Sequence, residues 1–161
     1  MFVHLRLHTE FSVVDGTVRM PAAIKAAAGD GQGALAVTDF NNMFGAIKFY
    51  KKARGSGVKP ILGAEVSLSD WPGSPPESAH AMPGQRQSAP RVILLVQNHQ
   101  GYLNLSELLA RAWTQNVVRD QAHVRWAWLE ELHDGLIVLS GAQNGPVGRA
   151  LMAGDAGGAA S

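Results

Sequence analysis

This sequence predicts an α/β fold with parallel strands, on three observations. Short apolar runs with strand character recur roughly 28 residues apart: FVHLRL at 2–7, ALAVT at 34–38 and PILGAEV at 60–66. Stretches with helical composition or spacing lie between them, at 22–28 and 46–54. Gly29-Asp30-Gly31 and Gly55-Ser56-Gly57 break those helices before the next strand. A β-α-β-α-β run of this kind implies right-handed crossovers between parallel strands. It suits either a doubly wound sheet or a closed (β/α) barrel.

The elements follow in order. Residues 2–7 form the first strand, with Phe2, His4, Arg6 and His8 on one face because side chains alternate with period two. Residues 9–19 are a polar loop. Pro21 suits the first turn of an Ala-rich helix over 22–28, where its missing N–H is not needed. The buried strand 34–38 ends on Asp39. The helix over 46–54 is expected to turn Ile47, Phe49 and Tyr50 to the core and Lys48, Lys51 and Lys52 to water. The third strand, 60–66, carries Glu65 near its end.

Composition changes over 69–90, which is dominated by Pro, Gly, Ser, Ala and Gln. Such a segment cannot bury enough apolar area to offset ordering, so a flexible insertion with no regular core element is expected. A buried strand resumes at 91–97. An amphipathic helix over 101–113 places Tyr102, Leu105, Leu108, Leu109 and Trp113 toward the core and Asn104, Glu107 and Arg111 opposite. Residues 114–125 read as a polar connection, 126–132 as a short helix, 136–139 as a fifth strand and 146–152 as a last helix. Residues 153–161 read as a flexible tail. The closing strands of a barrel do not follow, which suggests a fragment of something longer.

With 161 residues, 46% hydrophobic and 17% charged, the chain has the composition of one globular domain with a core. The net charge is +1 and no block of basic residues stands out, so a strong electrostatic grip on nucleic acid is not expected of this segment. The absence of cysteine excludes disulfides, thiolate metal sites and a Cys nucleophile. His4, Arg6 and His8 interrupt the first apolar run, so it is not a signal peptide. No apolar run approaches the ~20 residues of a membrane span. These features together read as a soluble, intracellular protein.

Histidine and carboxylates just past a strand's C-terminal end lie where parallel α/β folds hold their chemistry. His4, His8, Asp15 and Glu65 are the candidates. Nitrogen and carboxylate donors suit zinc, manganese or iron, and a metal there would activate water. His4, inside a strand, reads instead as a core histidine. His80, His99, His123 and His133 read as solvated. Trp113, Trp126 and Trp128 read as core or interface packing. No G-x-G-x-x-G follows the first strand, and neither a P-loop nor a G-x-S-x-G elbow occurs.

Four blocks carry a resemblance to a known family: FVHLRLHTEFSVVDG, ALAVTDFNNMFGAIKFYKKARGSGVKPILGAEV, LLVQNHQGYLNLSELLARAW and DGLIVLSGAQNGPVGRAL. In order and spacing they resemble the amino-terminal PHP (polymerase and histidinol phosphatase) domain of bacterial replicative DNA polymerase alpha subunits. The resemblance covers residues 2–152 and implies the N-terminal part of a distorted (β/α)7 barrel. The family's H-x-H falls on Arg6 and His8, its aspartate before glycine on Asp15, and its T-D-H on Thr38-Asp39-Phe40. Its glutamate ending the third strand falls on Glu65, and its histidine opening the fourth strand on Arg91. His8, Asp15 and Glu65 are therefore retained positions, while Arg6, Phe40 and Arg91 replace histidines. His4 matches a family histidine taken as structural.

On this resemblance no catalytic residue and no metal are expected in the segment, and Arg6 is expected to pair with Asp15 or Glu65. The implied role is a degenerate scaffold and subunit-docking module of a cytoplasmic polymerase. Implied partners are the remainder of the alpha chain and a proofreading exonuclease subunit, with DNA bound through the parent only and no membrane. The parent's DNA-templated synthesis would use divalent magnesium at a site outside these residues. One alternative is an active metal-dependent phosphoesterase or 3′–5′ exonuclease; another is a free-standing interaction module.

Overall fold

A computed structural model describes residues 2–72, 89–155 and 157. Residues 2–7 are extended, as expected, but they form no continuous strand. They run parallel to β1 (Ala34–Val37) through a bridge between His4 and Leu35. The Ala36 and Thr38 amides donate to the His4 and Leu7 carbonyls at 2.9 Å. The Leu7 amide donates to the Thr38 hydroxyl at 3.0 Å, and this side-chain acceptor takes the place of a backbone ladder.

The helix α1 (Met20–Gly29) precedes β1, and α2 (Ala46–Gly55) follows it. The N-terminal end of α1 is capped from a distance, the Met20 amide donating to Glu10 Oε2 at 2.6 Å. The long strand β2 (Lys59–Ser69) organises the sheet. Its first residues pair with β1 in parallel, Ala34 opposite Lys59 through Val37 opposite Leu62. Its last residues pair in parallel with β5 (Gln121–Arg125), Ser67 opposite His123. Along its other edge β3 (Arg91–Val96) runs antiparallel, and β6 (Leu136–Leu139) runs antiparallel to β3.

The expectation of parallel strands therefore holds for the first extended segment, β1 and β2, and fails for β3 and β6. A parallel return needs a crossover of a dozen or more residues, usually a helix. Residues 70–90 carry no helical apolar pattern. β3 instead begins beside the end of β2, with the Leu68 amide on the Pro90 carbonyl at 2.8 Å. Most of the insertion expected over 69–90 lies outside the described residues, and Ser69 itself belongs to β2. In the tail, residues 156 and 158–161 lie outside them as well.

The polar connection expected over 114–125 is a hairpin of β4 (Val117–Val118) and β5. Its turn residues Arg119 and Asp120 have φ of 51° and 63°, as the tight turns favoured in hairpins require. Ala122 and Val124 are buried between more exposed neighbours, an alternation too short to stand out in the sequence. α3 (His99–Gln115), α4 (Trp126–Glu131) and α5 (Pro146–Met152) lie where helices were expected. Among the described residues no helix is long and apolar enough to cross a membrane.

The helices cover one face of the sheet in two groups. α3 packs Leu105, Leu108, Leu109 and Ala112 against Ala64, Val66 and Leu68 of β2 and their neighbours. α1 and α2 pack Met20, Ile24, Phe49 and Ala53 against Leu35 and Val37. α2 buries Ala46, Phe49 and Ala53, so Ile47 and Tyr50 point outward rather than to the core. In α3, Asn104 is buried rather than solvated because its amide donates to the Asp134 carbonyl at 2.9 Å. Trp113 is exposed rather than core, and its indole N–H donates to the Asn41 carbonyl at 2.8 Å.

Asn41 stands where β1 leaves β2 and β5 joins it. It is buried with φ of 54°, a left-handed conformation that asparagine tolerates better than most residues. Its Nδ2 donates to the Ala122 carbonyl at 2.9 Å and its Oδ1 accepts from the Ser67 amide at 3.2 Å, so the side chain bridges β2 and β5. Asn41→Ala leaves a buried donor and acceptor unpaired and is expected to cost about 2–3 kcal/mol, read as a lowered urea midpoint.

Candidate functional site

Strand alternation sets the site. Ala64, Val66 and Leu68 face α3, so Glu65 faces the other side of the sheet, paired with Ile93. The Glu65 backbone is fixed there by its amide on the Thr38 and Asp39 carbonyls and by the Asn41 amide on its own carbonyl at 2.8 Å. Arg91, the first residue of β3, lies one strand away, and Phe40 bridges Glu65 from the end of β1.

The loop after the first segment brings the remaining groups. Thr9 is buried and binds Asp39 twice, through its amide to Oδ1 at 2.6 Å and its hydroxyl to Oδ2 at 2.9 Å. Burial raises the Asp39 carboxyl above its ordinary value, against the Thr9 hydrogen bonds that lower it. The Ser12 amide donates to the Thr9 carbonyl at 2.8 Å, and the Gly16 amide to the Ser12 carbonyl at 2.7 Å. A Cβ on Gly16 would sit 1.8 Å from the Thr9 carbonyl oxygen, so only glycine fits behind Asp15. Ser12 links loop and strand: its hydroxyl donates to Asp15 Oδ1 at 2.7 Å and accepts from the Phe40 amide at 3.0 Å.

Arg6, His8, Asp15, Phe40, Glu65 and Arg91 meet in one cluster. Arg6 Nε donates to Glu65 Oε2 at 2.5 Å and its Nη2 to Oε1 at 3.3 Å. His8 Nε2 lies 3.1 Å from Glu65 Oε2 and its Nδ1 lies 2.9 Å from Asp15 Oδ1. Arg91 Nη1 reaches Glu65 Oε1 at 3.3 Å and Asp15 Oδ2 at 3.4 Å. The Arg91 guanidinium lies 3.9 Å over the Phe40 ring, in cation–π contact. Arg6 thus pairs with Glu65; Asp15 is paired with His8 and Arg91. His4 stands apart, level with Leu35, exposed and edge-on to Phe2 at 4.7 Å rather than in the core.

Of the other histidines, His99 and His133 are exposed, His123 is half-buried in β5 and His80 lies outside the described residues. Trp126 and Trp128 pack against the α3 core. Ser12, Thr9 and Asn41 carry the cluster's frame and were not singled out by the sequence. Ser12 three residues before Asp15 is the one local pattern that marks any of them.

A carboxylate offers about four lone-pair sites. Both oxygens of Glu65 accept two hydrogen bonds each, so none is left for a metal. His8 faces a carboxylate from each ring nitrogen, an arrangement that the doubly protonated imidazolium satisfies fully. This donor set does not fit a divalent cation.

The family model for the PHP domain matches residues 4–161. The chain belongs to the PHP domain family. Its relatives include the DNA polymerase III alpha subunits of Pseudomonas aeruginosa, 44% identical over 154 residues, and of Escherichia coli, 38% identical over 155 residues. Each match covers 96% of this chain and 12% of the relative, so this PHP segment spans about an eighth of the length of those proteins. Among solved structures, an amidohydrolase from Chromobacterium violaceum with bound sulfate and no metal aligns at a TM-score of 0.44 and 19% identity, over 66% of this chain and 32% of that one.

The charges of the PHP cluster hold one another. Burial disfavours the ionised Glu65, but hydrogen bonds and charge from His8 and Arg6 outweigh it and bring the carboxyl down to about 2. Burial likewise opposes protonated His8, yet Glu65 and Asp15 raise its affinity for the proton above the ordinary value. Asp15 is lowered, its burial outweighed by the Ser12 hydroxyl, His8 and Arg91. The Arg6 side chain is 52% exposed against 3% for Glu65. Loss of Arg6 therefore costs about 1–2 kcal/mol, less than for a fully buried pair, because water screens it and Glu65 keeps two partners.

The pH dependence has two opposed signs. The Glu65 contribution is complete above its ordinary 4.5 and is lost as pH falls toward about 2. The His8 contribution is complete below its ordinary 6.5 and is lost as pH rises through the raised folded-state value. Urea midpoints are expected to be highest between those limits. His8→Gln should remove the decline on the alkaline side and weaken but not abolish the acid limb, since Arg6 still lowers Glu65; an unchanged alkaline slope in that variant would contradict the assignment.

Proposed function

We infer that this PHP segment is the amino-terminal part of a replicative DNA polymerase alpha chain in the cytoplasm, where it serves as a metal-free scaffold and subunit-docking surface. The observation behind the metal-free reading is the saturated Glu65 carboxylate. Arginine has no lone pair for a metal and stays protonated, so Arg6 and Arg91 set fixed positive charge where a cation would sit. Two guanidinium groups and an imidazolium then hold together a mouth that a metal would otherwise hold.

The curated relatives support attachment to a polymerase chain. On that reading the parent transfers nucleoside monophosphates from dNTPs to a primer, with magnesium held by carboxylates outside this chain. Elemental analysis of the purified protein is expected to find no stoichiometric zinc, manganese or iron, and an anomalous-scattering map no peak near His8. Metal held by His8, Asp15 and Glu65 would overturn this and favour the phosphoesterase. Gain of metal should need Arg6→His, Phe40→His and Arg91→His together, since a remaining guanidinium repels the ion.

The docking role falls on the outer helical surface. Of the aromatic residues in and after α3, Trp126 and Trp128 pack inward, whereas Trp113 stays open to solvent. Trp113→Ala is expected to weaken co-purification of the full-length chain with the proofreading exonuclease subunit, and Trp128→Phe to leave it unchanged. Undiminished capture by the Trp113 variant would remove this surface from consideration.

A further inference from the structure

The outer side of α2 carries a charge pattern that the scaffold role does not use. Between Asp39 and Glu65 the sequence has five cations, Lys48, Lys51, Lys52, Arg54 and Lys59, and no acidic residue. The rest of the chain holds nine cations against thirteen acids, so a net charge of +1 conceals a one-sided distribution. No basic block stands out in the linear sequence because apolar residues interrupt the lysines; the fold gathers them on one face.

Burial of Ala46, Phe49 and Ala53 turns Ile47, Tyr50, Lys51 and Arg54 outward, at positions i, i+3, i+4 and i+7. Lys48 and Lys52 flank this stripe. Among the described residues none of the five cations forms an ion pair. Lys48 lies 5.3 Å over the Phe11 ring, and the Arg54 guanidinium 5.9 Å from the Tyr50 ring centre. Tyr50 is 45% exposed and Ile47 68% exposed. At the C-terminal end of α2, Tyr50, Arg54, Val58, Lys59 and Pro60 line an open groove of about 450 Å³, within the size range of small-ligand sites.

We propose that this face binds single-stranded nucleic acid, with phosphates along the lysines and a base stacked on Tyr50. Lys48 lies near enough to Glu10 to help lower its carboxyl, but the surface as a whole is cationic, and cations gathered on one surface recruit a polyanion through counterion release. An exposed aromatic ring beside arginine adds a platform that any base can use. A duplex would engage the lysines but leave Tyr50 and Ile47 facing water, since its bases are already stacked. An acidic protein segment would likewise leave the ring without a partner. The surface is separate from the Glu65 cluster, because α2 packs on the Leu35 and Val37 side of β1 while Glu65 faces the other side. It goes beyond the scaffold reading and does not depend on it.

The test places a photo-reactive benzoylphenylalanine at position 47 of the full-length natural polypeptide, which leaves every cation in place and ignores nucleic acid held elsewhere on the protein. A labelled oligothymidylate should give an adduct whose yield falls with salt. Lys48→Glu, Lys51→Glu and Lys52→Glu together should reduce it about tenfold, whereas Lys→Arg at the same positions should keep it. Tyr50→Leu should also reduce it. The same probe at Glu130, exposed on α4, should give none. Equal adducts from 47 and 130, insensitivity to charge reversal, or stronger capture of a duplex or a polyglutamate peptide would each overturn the proposal.

Discussion

Glu65 is a carboxylate with no lone pair to spare, and four stretches of chain are joined through it. Arg6 comes from the first extended segment, His8 from the start of the following loop, Arg91 from the opening of β3, and the glutamate itself from the middle of β2. Desolvating a carboxylate costs several kcal/mol, and only close, well-directed cations offset it. The cost makes the arrangement selective: a loop that held His8 elsewhere, or a β3 out of register, would leave a buried charge short of partners. The mouth of the sheet is therefore specified by electrostatics, where the helices on the opposite face are specified by apolar packing.

That division follows from the two faces of one strand. Ala64, Val66 and Leu68 serve α3, and Glu65 between them serves the cluster. Asp39 plays a quieter part on β1, fixing Thr9 and with it the direction of the loop that delivers Ser12 and Asp15. Phe40 completes the frame by offering its ring to the Arg91 guanidinium. Arg6, Arg91 and Phe40 thus complement one another: two arginines supply charge, and an aromatic face accepts one of them.

Much of this was legible in the sequence. The helices of strong period, the strands at 34–38, 60–66, 91–97 and 136–139, and the family itself could be read from the residues. So could which six positions ought to meet. Strand direction could not, because the composition of 69–90 does not say at which end of the sheet the chain re-enters. The orientation of α2 was misread because Ile47, Phe49 and Tyr50 are all apolar enough to be core. Phe49 shares its stripe with two alanines small enough for the helix to approach β1 closely, and that decides the facing. Asn41 gives no local sign of its bridging role, since its partners, Ser67 and Ala122, are distant in sequence. Which arginine takes which carboxylate is a matter of reach, and reach appears only in three dimensions.

The pairing of Ser67 with Arg91 has a consequence for how this fold can vary. It brings the two ends of the intervening stretch together at the spacing of adjacent strands, and the ladder beyond it fixes Arg91 whatever the length between. Doubling the length of a connection between two fixed ends costs only about 0.6 kcal/mol in closure entropy. Material can therefore be added or removed there without displacing the guanidinium that rests on Glu65. The mouth of the sheet is buffered against insertion at its nearest boundary, which makes that boundary a natural place for lineages to diverge and for a reporter domain to be grafted.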